Sequence, residues 1–197
     1  MIIVDVETGG LDPRKNPLLA IGAVDFNTKE QFMGECRPRD DLEIEDKALQ
    51  INGYTKERLA GITKDTKTLL LEFLAWCSKL ESDYTIAGEN PSFDRDFIAE
   101  NCRYYDIKNP FGHRTVDLHS IAYSVIMARG QIEIPTDDNR KNKLDADTIF
   151  VYAGIPAEPR PHIAINGARW EAEAFSRLIF GREYYEEFKE YKVVPYG

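Results

Sequence analysis

The sequence predicts one α/β domain. Strand-like and helix-like segments alternate along its 197 residues, which is the pattern of a sheet covered by helices. We find no internal repeat, low-complexity tract or linker, and this length is enough for one domain with its own core. We therefore expect a single domain over residues 1–197.

Five segments have the composition of strands. The first, residues 2–8, is rich in β-branched side chains and ends at a glycine turn. The second and third, 17–26 and 31–37, are separated by turn-forming residues, which predicts an antiparallel hairpin. Two shorter strands are predicted at 84–88 and 115–116.

Helices are predicted for much of the remainder. The clearest is an amphipathic segment in which Leu69, Phe73, Trp76 and Leu80 recur at helical spacing. Residues 131–142 are polar and contain a proline, which predicts a loop. The other predicted helices cover residues 46–51, 91–105, 117–129, 144–153, 164–180 and 182–191.

Composition excludes some classes of function. The net charge of -9 argues against a protein that coats nucleic acid nonspecifically. It does not exclude a nucleic-acid enzyme, because divalent ions would present positive charge to phosphate. No apolar run approaches membrane-spanning length, and no basic segment precedes an apolar one at the N-terminus. The cysteines have neither metal-type nor redox spacing. We expect a cytoplasmic protein without a membrane partner.

The first strand carries the most informative motif. Asp5 and Glu7 are two residues apart, so in a strand their side chains project from the same face. Adjacent carboxylates raise each other's pKa unless a cation lies between them, and Mg²⁺ or Mn²⁺ suits an all-oxygen site. The alternative is that both acids lie on the wet face of an edge strand.

A second candidate site follows the fourth predicted strand. Asn90 is a favoured N-cap residue and Pro91 suits the first helical position, so a helix is predicted to begin here. Asp94 then falls in the first turn, where the helix dipole favours its ionised form. The end of a strand at a crossover is where open α/β sheets bind ligands. Locally, Asp94 could instead only complement the dipole.

The third candidate site contains His162. Pro159 and Pro161 stiffen the approach to a predicted helix whose first turns hold His162 and Asn166, one turn apart. Among the three histidines, His162 has the most plausible setting for chemistry, while His113 and His119 are interpreted as surface or structural residues.

Taken together, the three segments resemble the DEDD superfamily of 3′-5′ exonucleases, in its histidine branch. The order of the motifs along nearly the whole chain makes chance a poor explanation. The matching residues are Asp5, Glu7, Thr8, Gly10 and Leu11 in the first motif, Asn90, Phe93 and Asp94 in the second, and His162, Ala164 and Ala168 in the third.

The resemblance implies a ribonuclease H-like fold, with a five-stranded mixed sheet flanked by helices. It also implies two-metal hydrolysis, with Mg²⁺ or Mn²⁺ held by Asp5, Glu7 and Asp94 and with His162 as general base. The substrate would be the 3′ end of single-stranded DNA or RNA, and a polymerase or other replication or repair partner is implied. The residues implied to contact the terminal nucleotide are Thr8, Gly9, Gly10, Leu11, Asn90 and Phe93.

One departure from the family pattern concerns the fourth acid. Aligned without a gap, the family's fourth aspartate falls on Gly167, beside Asn166. If this subgroup instead carries its acid at the fourth residue after the histidine, Asn166 stands among the metal ligands in place of that acid. Asn166→Asp would then restore activity. Alternatively, Glu171 reaches back from one turn beyond Gly167. We prefer the Asn166 interpretation, because asparagine matches aspartate in shape; it predicts impaired cleavage by this chain.

Two rival classes of function remain open at this stage. One is a catalytically silent module that binds nucleic-acid 3′ ends, which the missing acid supports. The other is an endonuclease or nucleotidyl-transfer enzyme of the same broad fold. Circular or end-blocked substrates separate an exonuclease from the latter.

Overall fold

The computed structural model describes residues 1–130 and 133–193. Its centre is a five-stranded sheet in the order β3-β2-β1-β4-β5. Strand β2 runs antiparallel to both of its neighbours, whereas β4 and β5 continue the sheet in parallel with β1. The expected five-stranded mixed sheet is confirmed. The strands are β1 (Ile2–Thr8), β2 (Leu18–Asp25), β3 (Gln31–Glu35), β4 (Ile86–Gly88) and β5 (Thr115–Asp117).

The helices follow the predicted order, with one addition. The addition is α2, in the acidic segment after β3, where Thr55 caps the helix by accepting the Arg58 N–H. No helix in the described ranges is both long and apolar enough to cross a membrane. The helices are α1 (Asp46–Asn52), α2 (Lys56–Gly61), α3 (Thr66–Cys77), α4 (Pro91–Tyr104), α5 (Leu118–Arg129), α6 (Ala146–Tyr152) and α7 (Ala164–Phe180).

The predicted loop at 131–142 is only partly described. Residues 131 and 132 lie outside the described residues. Residues 133–142 contain no helix and no strand beyond an isolated bridge between Thr136 and Asn142.

The sheet separates two hydrophobic clusters. Helices α3 and α4 pack on one face, against Ile2 and Val4 of β1. Helices α5, α6 and α7 cover the other face, where Ile3 is buried. Because side chains alternate along a strand, Asp5 and Glu7 belong to the face of Ile3, beneath α7.

Helix α7 lies unusually close to the sheet. A Cβ placed on Gly22 of β2 would lie 2.1 Å from the carbonyl carbon of Ala164, so the first turn of α7 touches the strand backbone. The small side chains on this part of α7, Ala164, Ala168 and Ala172, are fully buried. The close approach brings the beginning of α7 to the acidic end of β1.

The predicted helix at 182–191 is wrong. Gly181 adopts a left-handed conformation that ends α7, and the segment beyond it holds only a short 3-10 turn, Glu186–Phe188. Glu173, paired with Arg177 at 2.6 Å in the core, accepts the backbone N–H groups of Tyr184 and Tyr185. A buried carboxylate requires hydrogen-bond donors, and here the two backbone N–H groups supply them. Because these N–H groups bond to Glu173, they are not used in a helix, and the segment is a loop.

Candidate active site

Strand β1 delivers Asp5 to an open cleft. Its other six residues are buried and only Asp5 is partly exposed, beside the register position of Gly22 on β2. Two residues further on, Glu7 is 8% exposed. The strand therefore places both acids on one face, as predicted, and not on the wet face of an edge strand.

Helix α4 brings Asp94 to the same end of β1. The Val6 N–H donates to Oδ1 of Asp94 at 2.9 Å, and Asp94 is 4% exposed. This bond ties the first turn of α4 to the strand between the two acids. Asp5, Glu7 and Asp94 therefore lie together despite their separation in sequence.

Asn90 begins α4 without a side-chain cap. It takes a left-handed conformation (φ 52°), which asparagine tolerates better than most residues, and its side chain accepts a bond from the Ser92 hydroxyl. Its own N–H donates to Asp117 at the end of β5. Asn90 thus fixes the strand-to-helix turn that positions Asp94.

Asp5 and Asp94 line a cleft of about 180 Å³, and Glu7 lines an adjoining cavity. The walls of the cleft come from the ends of β1 and β4 and the beginnings of α4, α6 and α7. The residues lining it include Asp5, Glu89, Asn90, Phe93, Asp94, Phe150, Glu158, His162, Gly167 and Glu171.

Burial and mutual repulsion make these carboxyl groups hard to ionise. Burial, followed by the charges of Glu7, Glu171 and Asp94, raises the pKa of Asp5 well above its ordinary value. Burial also raises the pKa of Glu7 to about 7, that of Asp94 to about 8, and that of Glu171 well above its usual range. For Asp94 this burial outweighs the helix dipole, which was expected to favour the ionised form.

His162 is oriented by an acid that the sequence analysis missed. Its Nδ1 lies 2.8 Å from Oε2 of Glu158, a residue only 7% exposed, and this hydrogen bond is the main reason why the pKa of His162 is raised. The other ring nitrogen, Nε2, contacts the guanidinium of Arg160. Glu158 could have been suspected, since an acid four residues before a candidate base is a plausible partner.

The histidine is not in a helix, which corrects the sequence analysis. Helix α7 begins at Ala164, and His162 lies just before it, with its N–H donating to the carbonyl of Ile51 at 3.3 Å. Asn166 is in the first turn of α7 and is not among the residues that line the acidic cleft. The face of α7 that lines the cleft carries Gly167 and Glu171.

A second cavity of about 300 Å³ adjoins the first. Phe93 lines both cavities, Leu11 is 79% exposed at the rim, and Ile51 of α1 forms the opposite wall. Asn52, which sequence reasoning missed, donates from its amide to the carbonyl of Thr8 at 3.1 Å and joins α1 to the glycine turn. The cavity thus combines an acidic end with apolar walls.

The glycine turn only partly matches its predicted role. Thr8, Gly10 and Leu11 line the second cavity. Gly9 does not, and its N–H already donates to the carbonyl of Pro17 at 2.8 Å. That N–H is not available to a nucleotide, so the predicted contact by Gly9 is not supported.

The donor set of the cleft fits a hard divalent cation. Carboxylate oxygens are the preferred ligands of Mg²⁺ and Mn²⁺, and Oε1 of Glu7 and Oε2 of Glu171 are buried without a hydrogen-bond partner. Within residues 1–130 and 133–193, no three acid, histidine or cysteine side chains already enclose a position for an ion. The carboxylates would therefore have to turn toward a bound cation. The positive charge of that cation would offset the repulsion between them.

Comparison with known proteins identifies the family. Residues 2–149 match the family RNase_T, described as exonuclease. The chain belongs to this exonuclease family. The resemblance to the DEDD superfamily, read from the three motifs, is thereby confirmed.

This exonuclease has relatives of two kinds. It is 31% identical over 182 residues to the 3′-5′ DNA exonuclease Cap18 of Escherichia coli, covering 90% of both chains. It is 26% identical over 183 residues to the PolC-type DNA polymerase III of Thermotoga maritima, of which it covers only 12%.

Solved structures confirm the ribonuclease H-like fold of this exonuclease. E. coli Exonuclease I in complex with a dA16 oligonucleotide superimposes with a TM-score of 0.71 at 18% identity, over 92% of this chain and 40% of that one. The nuclease domain of 3′hExo, a DEDDh family member bound to rAMP, gives 0.67 at 16% identity, over 93% and 95%.

Proposed function

We propose that this chain is a metal-dependent 3′-5′ exonuclease that removes nucleotides from single-stranded DNA. The carrying observation is the buried group of Asp5, Glu7 and Asp94, which adjoins a cavity with apolar walls and a candidate base. DNA is favoured over RNA because Cap18, similar along 90% of both chains, is a DNA exonuclease.

The proposed binding of the 3′ end uses the second cavity. The terminal base would lie against Phe93, which separates this cavity from the acidic cleft. Leu11 would insert between the last two bases, since it is exposed at the rim and makes an apolar wedge. Thr8 and Gly10 would contact the sugar, and Asn90 would hold the turn beside the scissile phosphate.

Asp5, Glu7 and Asp94 would hold Mg²⁺ or Mn²⁺ where the two cavities meet. When bound, such ions supply positive charge that acidifies the attacking water and offsets charge on the departing 3′ oxygen. His162 would accept the proton of that water at Nε2, because Glu158 already holds Nδ1. Arg160, which contacts Nε2, has to move aside, and its exposed guanidinium can then pair with phosphate.

The test is cleavage of matched oligonucleotides with Mg²⁺ or Mn²⁺. We expect stepwise shortening of a linear single-stranded DNA with a free 3′ hydroxyl, and slower shortening of the RNA of the same sequence. A 3′-blocked strand and a circular strand should remain intact. Cleavage of the circle would instead favour an endonuclease, and retention of the 3′ end without cleavage would favour a binding module.

The likeness to a PolC-type polymerase suggests a replication or repair partner. The chain covers 90% of Cap18 but only 12% of the PolC-type polymerase, so the likeness to the polymerase concerns a small part of it. Any replication or repair partner would be found by copurification with the intact chain.

His162 should carry the pH dependence of cleavage. We expect His162→Ala to reduce the rate of cleavage by about 10²–10⁴-fold with little change in 3′-end binding. In the parent chain, the ascending limb of the pH–rate profile should lie above the ordinary histidine value of about 6.5, because the bond to Glu158 raises the pKa of His162. Glu158→Gln should move that limb to lower pH. An unchanged profile in both variants would show that His162 is structural.

Metal removal should make stability depend on pH in a defined direction. The pKa values of Glu7 (about 7) and Asp94 (about 8) are raised in the folded state. The folded protein then holds protons that the unfolded chain has already released, so stability falls as pH rises from about 4.5 to about 8. With a chelator present, Tm should decrease between pH 5 and pH 8.

Added Mn²⁺ should oppose this decrease. We expect Mn²⁺ to raise Tm strongly at pH 8 and weakly at pH 5, because protonated carboxyl groups bind cations poorly. Asp96→Asn, at an exposed position of α4, is the matched control and should behave like the parent chain. A Tm that changes neither with pH nor with added Mn²⁺ would contradict a metal site at these acids.

A further inference from the structure

A side chain at the position of the family's fourth aspartate would displace Asp5 here. A Cβ on Gly167 would lie 2.1 Å from Oδ2 and 2.8 Å from Cγ of Asp5. Such contacts do not occur between real atoms, so Asp5 fills the space that a residue 167 side chain would need. The absence of a side chain at Gly167 lets α7 lie this close to β1.

One helical turn further along, Glu171 reaches into the same cleft. Residues four apart lie on the same face of a helix, so Glu171 follows Gly167 along the cleft wall. It is 6% exposed, its Oε1 accepts the Glu89 N–H at 2.9 Å, and its Oε2 has no hydrogen-bond partner. A buried carboxylate oxygen without a donor is costly unless a cation approaches it.

The strand beside it leaves room for this carboxylate. A Cβ on Gly88, the last residue of β4, would lie 3.0 Å from Oε2 of Glu171 and 3.1 Å from the carbonyl oxygen of Val4. A larger residue at position 88 would press against the glutamate. Two glycines thus shape the cleft. Gly167 stands where the family has an aspartate, and Gly88 leaves space for the carboxylate of Glu171.

We infer that Glu171 is the fourth metal-binding carboxylate of this chain, in place of an acid at position 166 or 167. With Asp5, Glu7 and Asp94 it gives four acids, whose formal charge matches two divalent cations. This inference rests on the proposed function, since it assigns a further ligand to the same metal site.

Two other acids in the cleft are less suitable. Glu158 is also buried, and its Oε1 also lacks a hydrogen-bond partner, but its Oε2 lies 2.8 Å from Nδ1 of His162, so it serves as a positioning residue for the base. Glu89 is half-exposed at the outer edge and contributes its backbone N–H to Glu171. Glu171 is buried, has an oxygen without a partner, makes no bond to the base, and lies on α7 one turn beyond Gly167.

The test measures Mn²⁺ binding directly, by calorimetry and by electron paramagnetic resonance, without substrate. The parent chain should bind two ions, and Glu171→Gln should lose one of them or weaken its binding by about 10-fold or more. Glu171→Asp, which keeps the charge but is one methylene shorter, should show the same weakening. Asp96→Asn, at an exposed position of α4, and Asn166→Asp, outside the cleft, should keep both ions with affinities close to those of the parent chain.

Thermal unfolding in chelator separates loss of a ligand from loss of the fold. Glu171→Gln removes a carboxylate from a repulsive buried group, so its Tm at pH 8 without metal should equal or exceed that of the parent chain. Unchanged Mn²⁺ binding in both Glu171 variants would overturn the inference while leaving the proposed function intact. Tighter Mn²⁺ binding by Asn166→Asp would overturn it in favour of Asn166. A parent chain that binds no Mn²⁺ and cleaves nothing would overturn the proposed function itself.

Discussion

Asp5→Ala should abolish divalent-ion-dependent cleavage, with a rate loss of at least about 10³-fold. Asp5 is the residue of β1 that opens to the cleft, and its pKa responds to burial and then to Glu7, Glu171 and Asp94. It therefore lies at the centre of the acids that would hold the ions. The measurement is the rate of shortening of a single-stranded DNA labelled at its 5′ end.

The control for Asp5→Ala is Asp96→Ala. Asp96 is exposed on α4 and paired with Arg95 at 2.7 Å, so its loss should change the rate little. Asp5→Ala should unfold at a temperature no lower than the parent chain in chelator, because it relieves repulsion in the cleft. Substantial remaining cleavage by a folded Asp5→Ala protein would place the metal site elsewhere.

Gly167→Asp, which introduces the aspartate that the family usually has at this position, should inactivate and destabilise the protein. The new Cβ would occupy the position of the Asp5 carboxylate, so Asp5 would have to turn away from the cleft. Overpacking of this kind costs about 1–3 kcal/mol, and another buried acid adds to that cost. Cleavage should fall to the level of Asp5→Ala, and chemical denaturation should show the loss of stability.

Two neighbouring variants separate the causes of that effect. Gly167→Ala adds the Cβ without a charge and should show the steric part of the loss. Asn166→Asp adds an acid in the first turn of α7, at a half-exposed position outside the cleft, and should change stability by only about 0.5 kcal/mol. A stable and more active Gly167→Asp protein would mean that α7 lies farther from β1 than described.

Much of the site could be predicted from local patterns. The period of two in a strand placed Asp5 and Glu7 on one face, and the turn at Asn90 and Pro91 placed Asp94 at the start of a helix. These patterns involve residues close in sequence, so backbone geometry alone fixes their relation. The order of the motifs then indicated the family and the fold.

The predictions that failed depend on contacts between distant segments. The loop after Gly181 is set by Glu173 and Arg177, whose buried pair captures backbone groups that a helix would have used internally. His162, predicted to lie in a helix, instead donates its N–H to the carbonyl of Ile51. Neither contact leaves a periodic signal in the sequence.

By itself, the sequence determined the strand acids, the crossover aspartate, the histidine and the departure at Gly167. Only the tertiary structure decided which carboxylate lies near the position of the missing fourth acid. That choice depends on how far α7 lies from β1 and on which of its faces it turns to the cleft, and both are set by glycine and alanine contacts at Gly22, Ala164 and Gly167. Each residue along a helix turns the side-chain direction by about 100°, so Asn166 and Glu171, five residues apart, point about 140° apart and have different surroundings.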